Sequence, residues 1–396
     1  MTPPLPSGFR VAGVHCGIKR SRREDICLVL SDAPLTAAGV YTTNRVCAAP
    51  VLFDRQRTPS PSMRVVITNS GNANACTGEQ GERDTQRMAE MAARACSVSE
   101  QQALVMSTGI IGEPLPMDKI EEGIRSAAEK LASGEDALRA AARGILTTDK
   151  VDKLAGRSID TEHGPVQITG IAKGSGMIGP NMATMLALIM TDAALDPDEA
   201  QALLAATNDD TFNCISVDGH TSTNDTALLL ASGKAARLRE GDRNWPAFAQ
   251  GVHEVCEDLA KQIVRDGEGA THLVEIFASG CADKAAARTV ARTIANSPLV
   301  KTAIAGADPN WGRIVSAAGY AGVEFDPQGT SLKVAGTLLY DRGQPVPFDA
   351  EEVSAAIRGS ADTKIEISFS AGQASARFWT CDLTIEYIHI NADYHT

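Results

Sequence analysis

The chain is poor in aromatic residues, at 4% of its 396 positions, and carries no excess of positive charge, its formal net charge being −12. A nucleic-acid partner needs a basic footprint, so this balance argues against one. No apolar run approaches the roughly 18–20 residues of a membrane helix. The first residues, "MTPPLPSGFRVAG", also lack the charged and apolar regions of a signal peptide. Neither nucleic acid nor membrane is therefore expected as a partner. C-x-x-C spacing is missing as well. The nine cysteines are odd in number and scattered, a pattern expected of reduced, mostly buried thiols in a cytoplasm and not of a disulfide framework or zinc site. There is no G-x-S-x-G elbow, and the seven histidines suggest neither a triad nor a metal helix, which leaves His220 and His272 as polar loop residues.

What is present is ordinary for a soluble globular protein: 43% hydrophobic and 22% charged residues, with a core resting on aliphatic side chains. The length exceeds the roughly 250–300 residues at which single cores stop growing, so two domains are expected. Strand-like runs that end in polar or glycine-rich loops recur at 64–75, 103–112, 166–176 and 226–235. Between them, 82–96 and 116–132 space their apolar residues at three and four, as helices do. Asp196-Pro197-Asp198-Glu199 reads as an N-cap, a first-turn proline and an acidic first turn, opening a helix through Leu203. A long helix ending at Gly267, a strand "LVEIFASG", a helix "DKAAARTVARTIANS" and one helix near Ala350–Ile357 follow. The mixture predicts an α/β or α+β fold, with a boundary near Ser279–Ala282.

The chemistry concentrates in "AKGSGMIGPNMATMLALIMTDA" (172–193). Gly174-x-Gly176-x-x-Gly179 spells the dinucleotide fingerprint, yet Pro180 and Asn181 stand where its helix should run. A turn with several positive-φ positions accounts better for these glycines. Downstream, Thr184 opens a wholly apolar strand. A threonine hydroxyl is a poor nucleophile unless a base lies beside it. Its own α-amine is one such base, if the preceding peptide bond breaks, since its pKa of about 7.7–8.0 leaves a neutral fraction at cytoplasmic pH. Self-cleavage of this kind needs loose backbone upstream, a small preceding residue and a rigid strand. Gly174–Pro180, Ala183 and Met185–Met190 supply these parts, although on spacing alone an Ala-Thr step before an apolar strand is usually a plain strand edge.

The segment "KGSGMIGPNMATMLALIMTDA" closely resembles the self-cleavage region of the ornithine acetyltransferase family, also called bifunctional glutamate N-acetyltransferase. "GVYTTNRVCAAPV" (39–51), "ITNSGNANACTG" (67–78), "STGIIG" (107–112), "LTTD" (146–149), "VDGHTSTNDT" (217–226), "GADPNWGRI" (306–314) and "INADYHT" (390–396) follow in the family's order, so the resemblance spans essentially the whole chain. It implies a layered αββα sandwich with a smaller C-terminal α/β domain, spatially about 1–280 and 281–396. It also implies cleavage between Ala183 and Thr184 into an α chain (1–183) and a β chain (184–396) that stay together, typically as α2β2. Thr184 is then the acyl nucleophile in a ping-pong transfer of acetyl from N-acetylornithine to glutamate, in arginine biosynthesis.

The resemblance also assigns roles to other residues. Thr108 and Gly109 match the oxyanion pair. Lys173 matches a substrate-binding lysine suited to an α-carboxylate, and Glu268 a substrate-binding glutamate suited to ornithine's amine. Thr147 or Thr148 falls near a further binding position, and Asn391 and Thr396 match the final substrate contacts. Two departures stand out: Lys150 replaces a threonine common after Asp149, and His220 replaces a common aspartate. No resident cofactor or metal is implied, although some members take acetyl-CoA as co-substrate. The alternatives are an aminopeptidase or amidase on the same fold, which would release the acyl group to water, and a nucleotide-binding protein using the glycine loop.

Overall fold

Alternation along the early strands sets up the first unit. Its strands are β1 (Phe9–Val14), β2 (Ile26–Tyr41), β3 (Ser60–Asn72), β4 (Ala103–Ile110), β5 (Lys153–Ile159), β6 (Val166–Lys173), β7 (Leu186–Thr191) and, after the short β8 (Ile215–Ser216) of the second unit, β9 (Thr226–Ala231). In the computed structural model, which describes residues 2–179 and 185–393, they form one mixed sheet in the order β4-β3-β2-β9-β7-β6-β5, with β1 also pairing β2. The sixteen-residue β2 joins two halves: Ile26–Leu30 pairs with β1 and β3, whereas Thr36–Tyr41 pairs with β9.

The helices of this unit are α1 (Ala49–Arg55), α2 (Gly78–Ala95), α3 (Met117–Glu129), α4 (Glu135–Gly144), α5 (Pro197–Asp210) and α6 (Trp245–Arg265). Successive strand residues point to opposite faces. Ile26, Leu28 and Leu30 accordingly pack with Met88 and Ala92 of α2 and Ile120 and Ile124 of α3. Cys27 and Val29 instead join Leu186, Leu188, Met190, Leu228 and Leu230, so the two halves of the sheet share an inner core. On the remaining face, the Gln201 side chain of α5 bonds both Gly39 N (3.0 Å) and Gly39 O (2.9 Å). There α6 approaches β6 so closely that a Cβ on Gly170 would stand 2.6 Å from Leu259. The order is helix, sheet, sheet, helix, the expected αββα layering. The start of α5 also follows the sequence reading, with the Asp196 carboxylate accepting from Asp198 N and Pro197 in the first turn, but the helix runs on to Asp210.

The second unit has β8, β10 (Leu273–Cys281), β11 (Ser331–Val334), β12 (Thr337–Asp341), β13 (Gln344–Pro345), β14 (Asp362–Ser368) and β15 (Ala374–Cys381), in the order β13-β12-β11-β14-β10-β15-β8. Its helices are α7 (Lys284–Ala295), α8 (Pro298–Ala305), α9 (Trp311–Gly319), α10 (Ala350–Arg358) and α11 (Ile385–Asp393). The units comprise Met1–Asn213 with His220–Ile263 and Cys214–Gly219 with Val264–His395. The division therefore falls in the last turn of α6 and not near Ser279–Ala282. The reason is strand pairing: β10 lies between β14 and β15, so the strand "LVEIFASG" belongs to the second sheet. Two further helices appear after Asp308 that periodicity did not reveal. One of them, α9, is capped by the Asn310 side chain accepting from Arg313 N within the motif "GADPNWGRI".

Candidate active site

The sheet brings the ends of β6 and β4 together, and Lys173 occupies the last position of β6. The residue is 1% exposed. Its ammonium donates to Thr147 Oγ1 at 2.7 Å and to Thr108 Oγ1 at 3.3 Å, and stands 4.0 Å from Asp149 Oδ2. Of the two candidate threonines, Thr147 therefore joins this cluster; Thr148 is half-buried beside it. An ammonium can only donate. Thr108 must accept from it, which leaves the Thr108 hydroxyl proton for another acceptor.

Gly109 follows in a β-bulge where Asn72 pairs with both Thr108 and Ile110. With φ at +136° and a would-be Cβ 2.3 Å from Gly71 C, this position admits only glycine. The turn is fastened by buried amides. Asn224 Nδ2 donates to Ser107 O (2.9 Å) and Ala73 O (2.6 Å), Ser107 Oγ donates to Asn69 Oδ1 (2.6 Å), and Asn69 Nδ2 donates to Asn72 O (2.8 Å). The asparagines of "ITNSGNANACTG" and "VDGHTSTNDT" thus hold the Thr108–Gly109 turn in place.

Ala183 and Thr184 lie outside the described residues, as does Thr396. Two buried carboxyls grip the main chain on either side of 175–184: Asp149 Oδ1 accepts from Gly174 N at 2.7 Å, and Asp225 Oδ1 accepts from Met185 N at 2.8 Å. Their surroundings differ. Burial alone would raise the Asp149 pKa, but the Lys173 and Lys153 ammoniums, with Lys153 bonded at 2.7 Å, hold it well below the carboxylate range. Burial pushes Asp225 well above that range, and the Met185 amide and Lys173 offset only part of the rise. In the glycine-rich loop, positive φ falls at Gly174 (+155°) and at Met177 (+55°), a residue that is not glycine. The next described element after the loop is strand β7, not the helix a dinucleotide fingerprint requires.

Glu268 and Asn391 belong to the second unit, where Asn391 Nδ2 on α11 donates to Glu268 Oε2 at 2.9 Å. His272 is more than a loop residue. Its Nδ1 lies 3.2 Å from Asp382 Oδ2, and its Nε2 lies 3.2 Å from Ile357 O. Sequence reasoning passed over Asp149, Lys153, Asn224 and Asp225. Asn224 and Asp225 directly precede the apolar strand β9, whereas Asp149 lies in the loop before β5 and Lys153 opens that strand. The available signal was the place of Asp149, Asn224 and Asp225 within the motifs "LTTD" and "VDGHTSTNDT".

The ArgJ family model matches residues 10–396. The arginine biosynthesis bifunctional protein ArgJ of Rhodopirellula baltica is 45% identical over 395 residues, covering 99% of this chain and 96% of that protein. Its namesake in Thermotoga neapolitana is also 45% identical, over 402 residues, covering 99% and 100%. Among solved structures, the arginine biosynthesis bifunctional protein ArgJ of Bacillus halodurans is 41% identical with a TM-score of 0.51, covering 52% of this chain and 98% of that one. With this agreement across its whole length, the chain belongs to the ArgJ family.

Proposed function

We propose that this enzyme, an N-acetyltransferase of arginine biosynthesis, cleaves itself between Ala183 and Thr184 and then moves acetyl from N-acetylornithine to glutamate through an acetyl-Thr184 intermediate. The observation that carries the reading is the Lys173–Thr108–Thr147 cluster at the end of the strand that leads into the Ala183–Thr184 segment. The Thr184 oxygen attacks the acetyl carbonyl while its freed amine takes the proton. Negative charge then develops on the carbonyl oxygen, where the Thr108 hydroxyl and the Gly109 N–H are the donors. Ornithine departs with the proton, and the amine of glutamate attacks the ester in turn. Lys173 and Thr147 receive the α-carboxylate common to both substrates, and Glu268, Asn391 and Thr396 contact the remainder.

The relative from Bacillus halodurans supports the two-chain product: it is covered almost completely while matching only 52% of this chain, so it is about half as long. The word bifunctional in the relatives' names accords with acetyl-CoA as a second acetyl donor, a co-substrate and not a resident cofactor. The cleaved protein is an α2β2 assembly acting in the cytoplasm. Intact mass spectrometry tests the reading. The wild type should give two polypeptides, the second beginning at Thr184 and gaining an acetyl group from N-acetylornithine, whereas Thr184→Ala should stay whole. An unbroken, fully active wild type would refute it, and hydrolysis of the acetyl group without transfer to glutamate would favour an amidase.

A further inference from the structure

Self-cleavage as proposed above has a gap in its own chemistry. The amine that serves as base during acetyl transfer is still an amide nitrogen in the uncut chain. Another group must accept the Thr184 hydroxyl proton when that oxygen attacks the Ala183 carbonyl. We propose that the Asp225 carboxylate is the general base of chain cleavage, an inference that rests on the self-cleavage reading.

Asp225 stands just before β9 and is fully buried. Its Oδ1 accepts from Met185 N at 2.8 Å, and that nitrogen belongs to the peptide bond Thr184 makes with its neighbour. The backbone oxygen of Asp225 accepts from Thr42 N at 3.0 Å, so the residue is fixed through main chain and side chain alike. Its Oδ2 makes no well-formed hydrogen bond among the described residues, although the Thr42 and Ser222 hydroxyls act on the carboxyl. A buried carboxyl oxygen left in this way is costly, and such exceptions call for a role. The charged group acting on Asp225 is Lys173 from β6; the Thr42 and Ser222 hydroxyls and the Met185 N–H that face it are neutral. Burial raises the carboxyl's proton affinity, which makes it a stronger base once ionised. Asp149, at the other end of the segment, is held ionised by two lysines and is correspondingly weak as a base. Divergent environments for two carboxyls of one site mark divergent roles.

The step balances. The Thr184 oxygen bonds to the Ala183 carbonyl carbon as its proton passes to Asp225. The tetrahedral intermediate collapses, the carbon–nitrogen bond breaks, and the leaving nitrogen takes that proton from Asp225. Water then hydrolyses the Ala183–Thr184 ester: its oxygen bonds to the Ala183 carbonyl carbon and the ester carbon–oxygen bond breaks. One water proton restores the Thr184 hydroxyl, and the other passes to the freed Thr184 amine, leaving the Ala183 carboxylate.

Timed quenching of the full chain in cell-free translation, read by intact mass, tests the proposal. Asp225→Asn keeps an acceptor for the Met185 N–H, so a purely positional role would leave cleavage intact. A base predicts slowing of about 10²-fold or more. It also predicts a wild-type rate that rises with pH through one ionisation, a dependence the variant loses. Cleavage of Asp225→Asn at the wild-type rate overturns the proposal. A wild type that never cleaves overturns the self-cleavage reading instead. Thermal melting reports whether the variant folds; if it does not, the wild-type profile decides, and a flat rate between about pH 5 and about pH 9 rejects Asp225 as the base.

Discussion

Thr108 shows how one hydroxyl's direction is set by its neighbour. With Lys173 donating to its oxygen, its own proton is available where charge develops in acyl transfer. Thr108→Val should therefore lower kcat by about 10²–10³-fold with little change in KM, as steady-state kinetics would show. Lys153 matters in a different way. It is fully buried against Asp149, and Lys153→Met leaves that carboxylate short of a partner, which should cost about 3–5 kcal/mol in urea denaturation at neutral pH. The pH dependence follows from the sign of the shift. Asp149 has a folded pKa depressed below the unfolded value of about 3.9. Its stabilising contribution is thus complete above about pH 4 and is lost as pH falls through the folded value. The Lys153→Met penalty should shrink over that same acid range, because a protonated Asp149 no longer needs the lysine.

At the scale of elements, the β-bulge at Gly109 and the cap of α5 separate function from stability. An alanine at Gly109 would push its Cβ into the Gly71–Asn72 backbone, with contacts of 2.3 and 2.4 Å, so β3 and β4 must part at the turn. Misplacement of about 1 Å is enough to cost about 10²-fold in rate, and Gly109→Ala should show that loss in kcat. Asp196→Ala removes only the bond to Asp198 N. Thermal melting should register a loss of about 1 kcal/mol, with acetyl transfer unchanged.

For the whole molecule, the position of the cut within the sheet decides what cleavage can do. Strands β6 and β7 pair along their length, from Ile168↔Thr191 to Lys173↔Leu186, and would lie on different polypeptides after cleavage. Also on the second polypeptide is β9, seated between β2 of the first and β7. Both pairings lie inside one buried sheet, so severing the backbone removes none of the burial that stabilises it. The two polypeptides should co-elute in native gel filtration and part only in denaturant; separation in plain buffer would contradict this.

Much of this protein was legible in its residues. Strand-like runs ending in polar or glycine-rich loops gave β3, β4, β6 and β9, and the apolar run after Thr184 gave β7. Amphipathic spacing gave α2, α3 and α7, and Asp-Pro-Asp-Glu gave the start of α5, because each depends on neighbours close in the chain; β1, β2 and β5 were not read. Motifs in order placed Thr108, Gly109 and Lys173. Tertiary structure alone decided that Thr147 is the threonine on Lys173, that β10 belongs to the second sheet, and that Asp149 and Asp225 grip the two flanks of one segment in opposite electrostatic settings. Those outcomes turn on which distant strands pair and which carboxyls are buried beside lysines, and local sequence does not encode contacts across that separation.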